Sequence, residues 1–524
     1  MEIPEYYNMS QDVDRHATNP RKVAVRWEND QGEQREVTYR ELKTASDRMA
    51  QGFLQKGLRK GDRIMILLPR IPEAYIVYLA ALKAGLIVLP GSEMLQPGDI
   101  TYRIQHAEVK AVVFDGSLQD RVEKAVLDCS SLQWGWIHGQ KTERWESLSR
   151  LGEKAEKIAL PQTRSDDIAF ISYTSGTTGG PKGVIHHHSW AIPHQKVAAR
   201  EWMDIQTEDT VWATAGPGWA KWVWSPFIST LGSGATSLVF HGRFNARRYL
   251  EIMETYHVNV LCCTPTEYRL MAKVENLEDY KLYSLRSAVS AGEPLNREVI
   301  DTFRKYFGVT VRDGYGQTEN TLLVGTMKDM KVKPGSMGKP TPGNRVILVD
   351  PEGHPVPEGV VGDIAVHRDS PALFKGYYRD ETRTANTFRG EWYITGDQAR
   401  RDEDGYFFFE GRADDIIISS GYTIGPFEVE DALVKHPSVQ ECAVVASPDP
   451  IRGEVVKAFV VLKDGKTGSK DLVKELQEHV KNETAPYKYP RKLEFVQTLP
   501  KTMSGKIRRV ELRQQELKQK KGNP

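Results

Sequence analysis

Between Tyr173 and Gly183 the chain reads Tyr-Thr-Ser-Gly-Thr-Thr-Gly-Gly-Pro-Lys-Gly. Thr174, Ser175, Thr177 and Thr178 bring hydroxyls, and Gly176, Gly179 and Gly180 let backbone N–H groups turn toward an anion. Lys182, just after Pro181, supplies a point charge, so the segment is chemically a polyphosphate cradle. It follows an expected strand and precedes a helix-like stretch. A Walker loop needs Gly-Lys-Ser/Thr; here Pro181 precedes the lysine and Gly183 follows it, which disfavours an ordinary P-loop NTPase. No Gly-x-Ser-x-Gly elbow occurs in the chain, so acyl-serine chemistry lacks its marker.

A second cluster, Asp313-Gly314-Tyr315-Gly316-Gln317-Thr318-Glu319, sits at the end of an expected strand, where α/β sheets place ligands. Its tyrosine can stack on a purine, Thr318 can donate to a phosphate, and Glu319 offers the hard oxygen that Mg²⁺ takes. Glu293, between Gly292 and Pro294, is a weaker candidate, since a Glu before Pro is commonly a turn. Thr395-Gly396-Asp397 and Gly411-Arg412-Ala413-Asp414 put carboxylates at strand ends, where an ionised Asp accepts from both hydroxyls of a ribose diol. Further on come the tight loop Ser419-Ser420-Gly421-Tyr422 and a glycine-marked lysine, Lys506, in Pro500-Lys501-Thr502-Met503-Ser504-Gly505-Lys506. Three consecutive histidines, His186 to His188, cannot all face one metal and read as loop beside the phosphate cradle.

These clusters need a scaffold. From about 60 to 315, short β-rich runs alternate with helix-length stretches: strands at 63–68, 112–114, 168–173, 236–240, 258–262 and 288–291, with a helix near 73–83. That rhythm means βαβ units and largely parallel sheets, an α/β fold. Between about 336 and 411 the pattern changes to apolar runs separated by Gly, Pro and Asp turns, a small β subdomain. The expected division is a large N-terminal domain, 1–411, and a mobile α+β C-terminal lid, 412–524. The lid has helices near 428–435 and 470–481 and strands near 443–446 and 458–462.

Composition bounds the partners. Lys plus Arg is 71 and Asp plus Glu is 70, which argues against nucleic acid or a membrane surface as partner. Four cysteines without CxxC spacing fit neither a disulfide scaffold nor a zinc site and suit a reducing compartment. The longest apolar stretch, 74–89, is too short to span a bilayer, and the N-terminus has neither secretion nor transit character. A cytoplasmic protein is expected; the oligomeric state stays open.

Taken in order, Tyr173–Gly183, Gly314–Glu319, Thr395–Asp397, Gly411–Asp415 and Pro500–Lys506 resemble the acyl-adenylate-forming superfamily of acyl-CoA synthetases, adenylation domains and luciferases, over about residues 25 to 515. The stretches at 419–422, 447–460 and 485–492 look most like its medium-chain acyl-CoA synthetases. The resemblance implies a two-step ligase: a carboxylic acid, medium-chain fatty or aromatic, reacts with MgATP to give acyl-AMP, and CoA then displaces AMP. It implies that Thr174 to Lys182 bind ATP phosphates, Asp313 to Gln317 the adenine, Thr318 the α-phosphate and carboxylate region, and Glu319 Mg²⁺. Asp397 and Arg412 would hold the ribose, and Lys506 would bridge carboxylate and ATP. Asp414 would be the hinge, and Ser420, Gly421 and Tyr422 would line the pantetheine path, with Arg452 a candidate for a CoA phosphate. Gly292, Gly316, Thr318 and Trp219 would border the acid, although four tryptophans between Trp212 and Trp224 are equally a plain core cluster. Because the matching lysine is acylated in related enzymes, a lysine acyltransferase acting on Lys506 is an expected partner. Thr423 stands where relatives carry Arg, and threonine does not replace that guanidinium fork. Two other readings remain: transfer of the acyl group to a carrier-protein thiol, and a non-catalytic acyl-nucleotide binder.

Overall fold

The computed structural model describes residues 2–521 apart from 141, 154, 175–180, 294, 414, 420–421, 450–451, 485 and 502–506. Two large sheets form the N-terminal part. One has seven strands in the order 146–147, 134–138, 111–115, 63–67, 87–90, 168–174, 182–187, parallel except for the last pair. The other has nine, with the parallel series 311–316, 287–291, 260–263, 210–213, 236–241, 23–29 and antiparallel strands at both edges. The parallel strands are apolar on both faces because both faces are covered. Ile64 and Ile66 enter one core and Met65 and Leu67 another.

The helix Pro72–Lys83 lies between the sheets and is buried at every position but Glu73. Its one interior charge is matched: Lys83 Nζ donates to Ser46 Oγ at 2.8 Å and Asp47 Oδ1 at 2.7 Å, and pairs with Asp14 at 2.9 Å. The long apolar stretch is thus this helix and the strand Ile87–Pro90. No described helix is long and apolar enough to cross a membrane.

The segment after the phosphate loop differs from expectation. Residues Lys182–His187 form a strand, antiparallel to Ile168–Thr174 with Lys182 opposite Thr174, rather than a helix. The three-histidine run accordingly begins within a strand. Its other edge is also satisfied: Ile185 N–H donates to Gly376 O at 3.1 Å, Lys375 N–H to Ile185 O at 3.0 Å, and Tyr378 N–H to Gly183 O at 2.7 Å. Pairing on both edges, with β-branched Val184 and Ile185 inside it, decides the conformation.

The strands 346–349, 362–367, 388–389, 392–401 and 407–412 make an all-antiparallel sheet, which answers to the small β subdomain. The C-terminal part is a sheet of 417–419, 422–424, 439–449, 453–462 and 492–495 with helices Pro426–Lys435, Lys470–Glu483 and Arg509–Lys521. The last helix is fixed by Arg509, which donates to both carboxylate oxygens of Glu430 at 2.8 and 2.6 Å.

Candidate functional site

The strand Ile168–Thr174 ends at the phosphate loop, Lys182 begins the next strand, and Thr318–Glu319 follow the strand Val311–Gly316. These ends converge on one cluster. Lys182 Nζ lies 2.9 Å from Glu319 Oε1 and 2.8 Å from the hydroxyl of Tyr377, which donates to the same Oε1 at 2.9 Å. The ammonium also sits 4.4 Å above the Tyr377 ring. Burial and the Glu319 charge push the Tyr377 phenol up, so it stays a donor. Oε2 of Glu319 takes neither bond. Thr174 Oγ1 is buried with no partner among the described residues, and an orphaned hydroxyl beside a lysine suits a phosphate oxygen.

A second network joins the two sheets. Tyr315 donates its hydroxyl to Asp397 Oδ2 at 2.6 Å, and Gln317 Nε2 donates to the same oxygen at 2.7 Å and to Thr395 O at 2.9 Å. Tyr393 donates to Gln317 Oε1 at 3.2 Å. Asp397 is directly opposite Arg412 in the β subdomain, with 4.0 Å between carboxylate and guanidinium. Gly316 lets the turn back to the strand 322–325 close, since a Cβ there would lie 2.2 Å from Thr321 O. The turn is clamped further by His186, whose Nε2–H donates to Thr318 O at 2.6 Å, and by Phe374 N–H, which donates to Glu319 O at 2.7 Å. Burial takes the His186 ring down to about 4, leaving a neutral donor at working pH.

Asp313 behaves differently from its neighbours. Its carboxyl is buried and accepts from Gly314 N–H at 2.8 Å and Leu295 N–H at 3.4 Å. Any adenine contact at this residue therefore falls to its backbone. Burial raises the group from 3.8 to about 8. A raised folded-state value gives stability that is present below pH ~4 and lost as pH rises through about 8. An asparagine at this position would keep an acceptor oxygen without the charge, so the melting-temperature gain of Asp313→Asn over the wild type is expected to grow from pH 5 to pH 8 and then level off. A gap independent of pH would contradict this.

Glu293 turns away from the cluster. It accepts from Thr266 Oγ1 at 2.8 Å and Arg269 at 3.2 Å, and Arg269 also reaches Asn296 Oδ1 at 2.9 Å. Asn296 donates in turn to Asp431 of the C-terminal part, so Glu293 belongs to a tie between the two parts. Gly292 has a φ of +106° and open space where a Cβ would be. The tryptophans divide: Trp212 and Trp222 are core, while Trp219 is 37% exposed. Gly218, at φ +96°, packs so closely on Gly91 and Ser92 that a Cβ would lie 2.4 Å from Ser92 N, and this turn sets Trp219 outward. Tyr422 and Thr423 form the second strand of a hairpin with Ile417–Ser419, and Arg452 lies in the turn after Asp449. Ser175 to Gly180, Pro294, Asp414, Ser420, Gly421 and Lys506 lie outside the described residues. No group of three metal-ligating side chains of the His, Cys, Asp and Glu kind occurs among the described residues.

The geometry meets a family pattern. The model of the AMP-binding enzyme matches residues 13–378, and that of the AMP-binding enzyme C-terminal domain matches 428–506. The chain belongs to the AMP-binding enzyme family. This AMP-binding enzyme is 55% identical over 517 residues to the uncharacterized acyl-CoA ligase YtcI of Bacillus subtilis, covering 98% of this chain and 97% of the relative. It is 43% identical to the mitochondrial acyl-coenzyme A synthetase ACSM3 of Mus musculus, covering 98% and 92%. Among solved structures, the anthranilate CoA ligase AuaEII in complex with anthranoyl-AMP superposes with a TM-score of 0.91 at 28% identity, over 99% of both chains. A benzoate CoA ligase from Burkholderia xenovorans gives 0.86 at 30%, over 97% and 100%.

Sequence reasoning missed Tyr377, Tyr393 and His186 as parts of the cluster. Tyr377 carries no motif of its own, and only the pairing of 374–378 with 182–187 brings it to Lys182.

Proposed function

We propose that the protein is an AMP-forming acyl-CoA synthetase that joins a carboxylic acid, medium-chain fatty or aromatic, to CoA through an acyl-adenylate. The observation that carries this is the meeting of Lys182, Tyr377 and Glu319 beside the Tyr315–Gln317–Asp397 network. One group suits phosphates and the other a nucleoside. As the carboxylate oxygen bonds to the α-phosphorus and the α–β anhydride bond breaks, Lys182 stabilises the charge that gathers on the departing pyrophosphate. Asp397 and Arg412 hold the ribose, and Tyr315 offers its face to the base. Glu319, with Tyr377 fixing one oxygen, would hold Mg²⁺, which would supply charge neutralisation at the phosphates. His186 keeps the Thr318 peptide oriented toward the α-phosphate and the acid carboxylate.

A free carboxylate resists attack because oxide is a poor leaving group; AMP is a good one, so a thiol can then displace it without a covalent enzyme intermediate. The division into residues 1–411 and a lid of 412–524 turning near Asp414 would let one pocket serve both steps, with Ser420, Gly421 and Tyr422 at the thiol's entry and Arg452 near the CoA phosphates. The chemistry of anthranilate and benzoate ligases supports an aromatic acid, and the acyl-coenzyme A synthetase ACSM3 supports acyl-CoA formation. The test is acid-dependent ATP–pyrophosphate exchange followed by CoA-dependent AMP release. Exchange without CoA acceptance, but with a holo carrier protein accepted, would move the enzyme to the carrier-loading class. No exchange with any acid would leave only a binder.

Trp219 walls the acid pocket in this reading. Its exposure of 37% supports this over a core role, so Trp219→Gly is expected to shift kcat/KM toward bulkier acids by about 1–3 kcal/mol per methylene accommodated, with little change in melting temperature. An unchanged ranking of straight-chain acids would defeat the assignment.

A further inference from the structure

The helix after Trp219 is gripped by a histidine that also reaches the segment following Glu319. His194 closes the α-helical turn Ala191–His194 just where it passes into the π-helical stretch Gln195–Trp202. The side chain is fully enclosed, and its ring stacks on Trp190 with 4.4 Å between centroids. Both nitrogens are engaged. Nε2 lies 2.9 Å from Trp224 O and 3.0 Å from Ser229 Oγ, and Nδ1 lies 2.6 Å from Thr321 Oγ1. A carbonyl can only accept, so Nε2 carries the proton, Nδ1 is the acceptor, and the Thr321 hydroxyl donates. Burial takes the ring down to about 3, so this tautomer persists at working pH.

Gln195 repeats the grip at the next position, donating Nε2 to Ile228 O at 2.6 Å. Trp224 and Ile228 belong to Val223–Leu231, a π-helical segment with Pro226 inside it. Such segments are rare and concentrate at functional sites, and proline brings no N–H to the ladder. Trp190 adds a parallel link, with Nε1 donating to Asn320 O at 2.8 Å and its ring 6.0 Å from that of Trp224. The wall that follows Trp219 and the turn that carries Thr318 and Glu319 are therefore joined through two stacked side chains, Trp190 and His194.

We propose that His194 is a positioning residue that couples the fit of the acid against the Trp219–Leu231 wall to the placement of the Thr318–Glu319 turn. This rests on Trp219 walling the acid pocket, as in the function proposed above. Close-packed interiors pass displacement along rather than absorb it, so an acid that shifts the Trp224 backbone shifts Thr321 through the ring. Acid choice is then expressed in kcat as well as in KM.

The test uses His194→Asn, His194→Gln and Thr321→Val, with ATP–pyrophosphate exchange over a series of straight-chain and aromatic acids and a melting curve for each. Asparagine puts a polar atom near the place of Nδ1 and keeps the Thr321 arm; glutamine puts an N–H near the place of Nε2 and keeps the Trp224 arm. His194→Asn is expected to raise the KM of the preferred acid and flatten the ranking of acids. His194→Gln and Thr321→Val are expected to keep the order of the acids in KM, to lower kcat for the preferred acid by about tenfold, the scale of one buried hydrogen bond, and to leave kcat nearly the same for every acid. Identical acid rankings and identical kcat-to-KM splits for the Asn and Gln variants, with only the melting temperature changed, would overturn the coupling. If neither histidine variant folds, Thr321→Val decides alone, and an unaltered kcat for all acids overturns it. Absence of exchange in the wild-type protein would instead overturn the function itself and this inference with it, whereas wild-type exchange with unsplit variants removes only the coupling.

Discussion

Glu319→Gln is expected to lower acid-dependent ATP–pyrophosphate exchange by about 10²–10³, the scale seen when one preorganised charge-stabilising group is removed. Glutamine keeps the shape of the side chain but has no charge to offer a cation. The carboxylate it replaces is nearly enclosed and paired with Lys182 at 2.9 Å. Losing it therefore also releases the lysine. The loss should appear as a demand for higher Mg²⁺, read from exchange rate against metal concentration, and as weaker binding of MgATP but not of metal-free ATP. Tyr377→Phe removes only the hydroxyl that both partners touch. Hydrogen bonds to charged groups are worth about 1.5–3 kcal/mol, so a loss of roughly 10- to 100-fold is expected, with the same displaced metal dependence. Full exchange by Glu319→Gln at the wild-type metal optimum would remove Glu319 from the metal site and leave the Lys182 pair a purely structural contact.

Tyr377 and Glu319 also mark where the sequence is readable. The phosphate loop and the 313–319 turn are legible because their function lies in local backbone: glycines and hydroxyls close together admit few other uses. Tyr377, Tyr393 and His186 are not legible, because each reaches the cluster through strand pairing across long sequence separations. The same separation explains the segment after Lys182. Its polar histidines hide a strand whose neighbours, 168–174 on one side and 374–378 on the other, are invisible to local pattern. Apolar runs such as 63–67 and 111–115 declare the buried parallel strands, whereas the antiparallel edge strand 34–38, with Gln, Arg and Glu in its first three positions, has no such signal. Spacing could not divide the tryptophans either. It takes the left-handed turn at Gly218 to send Trp219 outward while Trp222 stacks on Phe227 at 5.3 Å. The motif marks Asp313 as a ligand contact, and the burial of its carboxyl, which no local pattern shows, leaves only its backbone for that role.

The C-terminal lysine gives the other large effect. Lys506→Ala is expected to reduce adenylation by about 10²–10³ while thioester formation from supplied acyl-AMP stays within about threefold, a difference of under 1 kcal/mol. Positive charge is needed while pyrophosphate departs, and the second step releases AMP with no pyrophosphate present. Lys506 lies outside the described residues, but the helix it leads into is well anchored. Arg509 grips Glu430, and Arg513 Nη1 lies 2.7 Å from Oδ1 of Asp415, immediately after the expected hinge at 414. Helix and hinge are thus tied, so a turn at the hinge would carry the helix with it. Arg513→Ala cuts that tie at a half-buried position, and loss of one such pair should weaken adenylation by a smaller factor than Lys506→Ala while again sparing the thioester step. Acylating Lys506 removes its charge and should reproduce the alanine result. The two half-reactions can be followed separately, by pyrophosphate exchange and by thioester release from synthetic acyl-AMP. Equal losses in both for Lys506→Ala would mean that the lysine supports the pocket as a whole, and the assignment of its charge to the first step would fall.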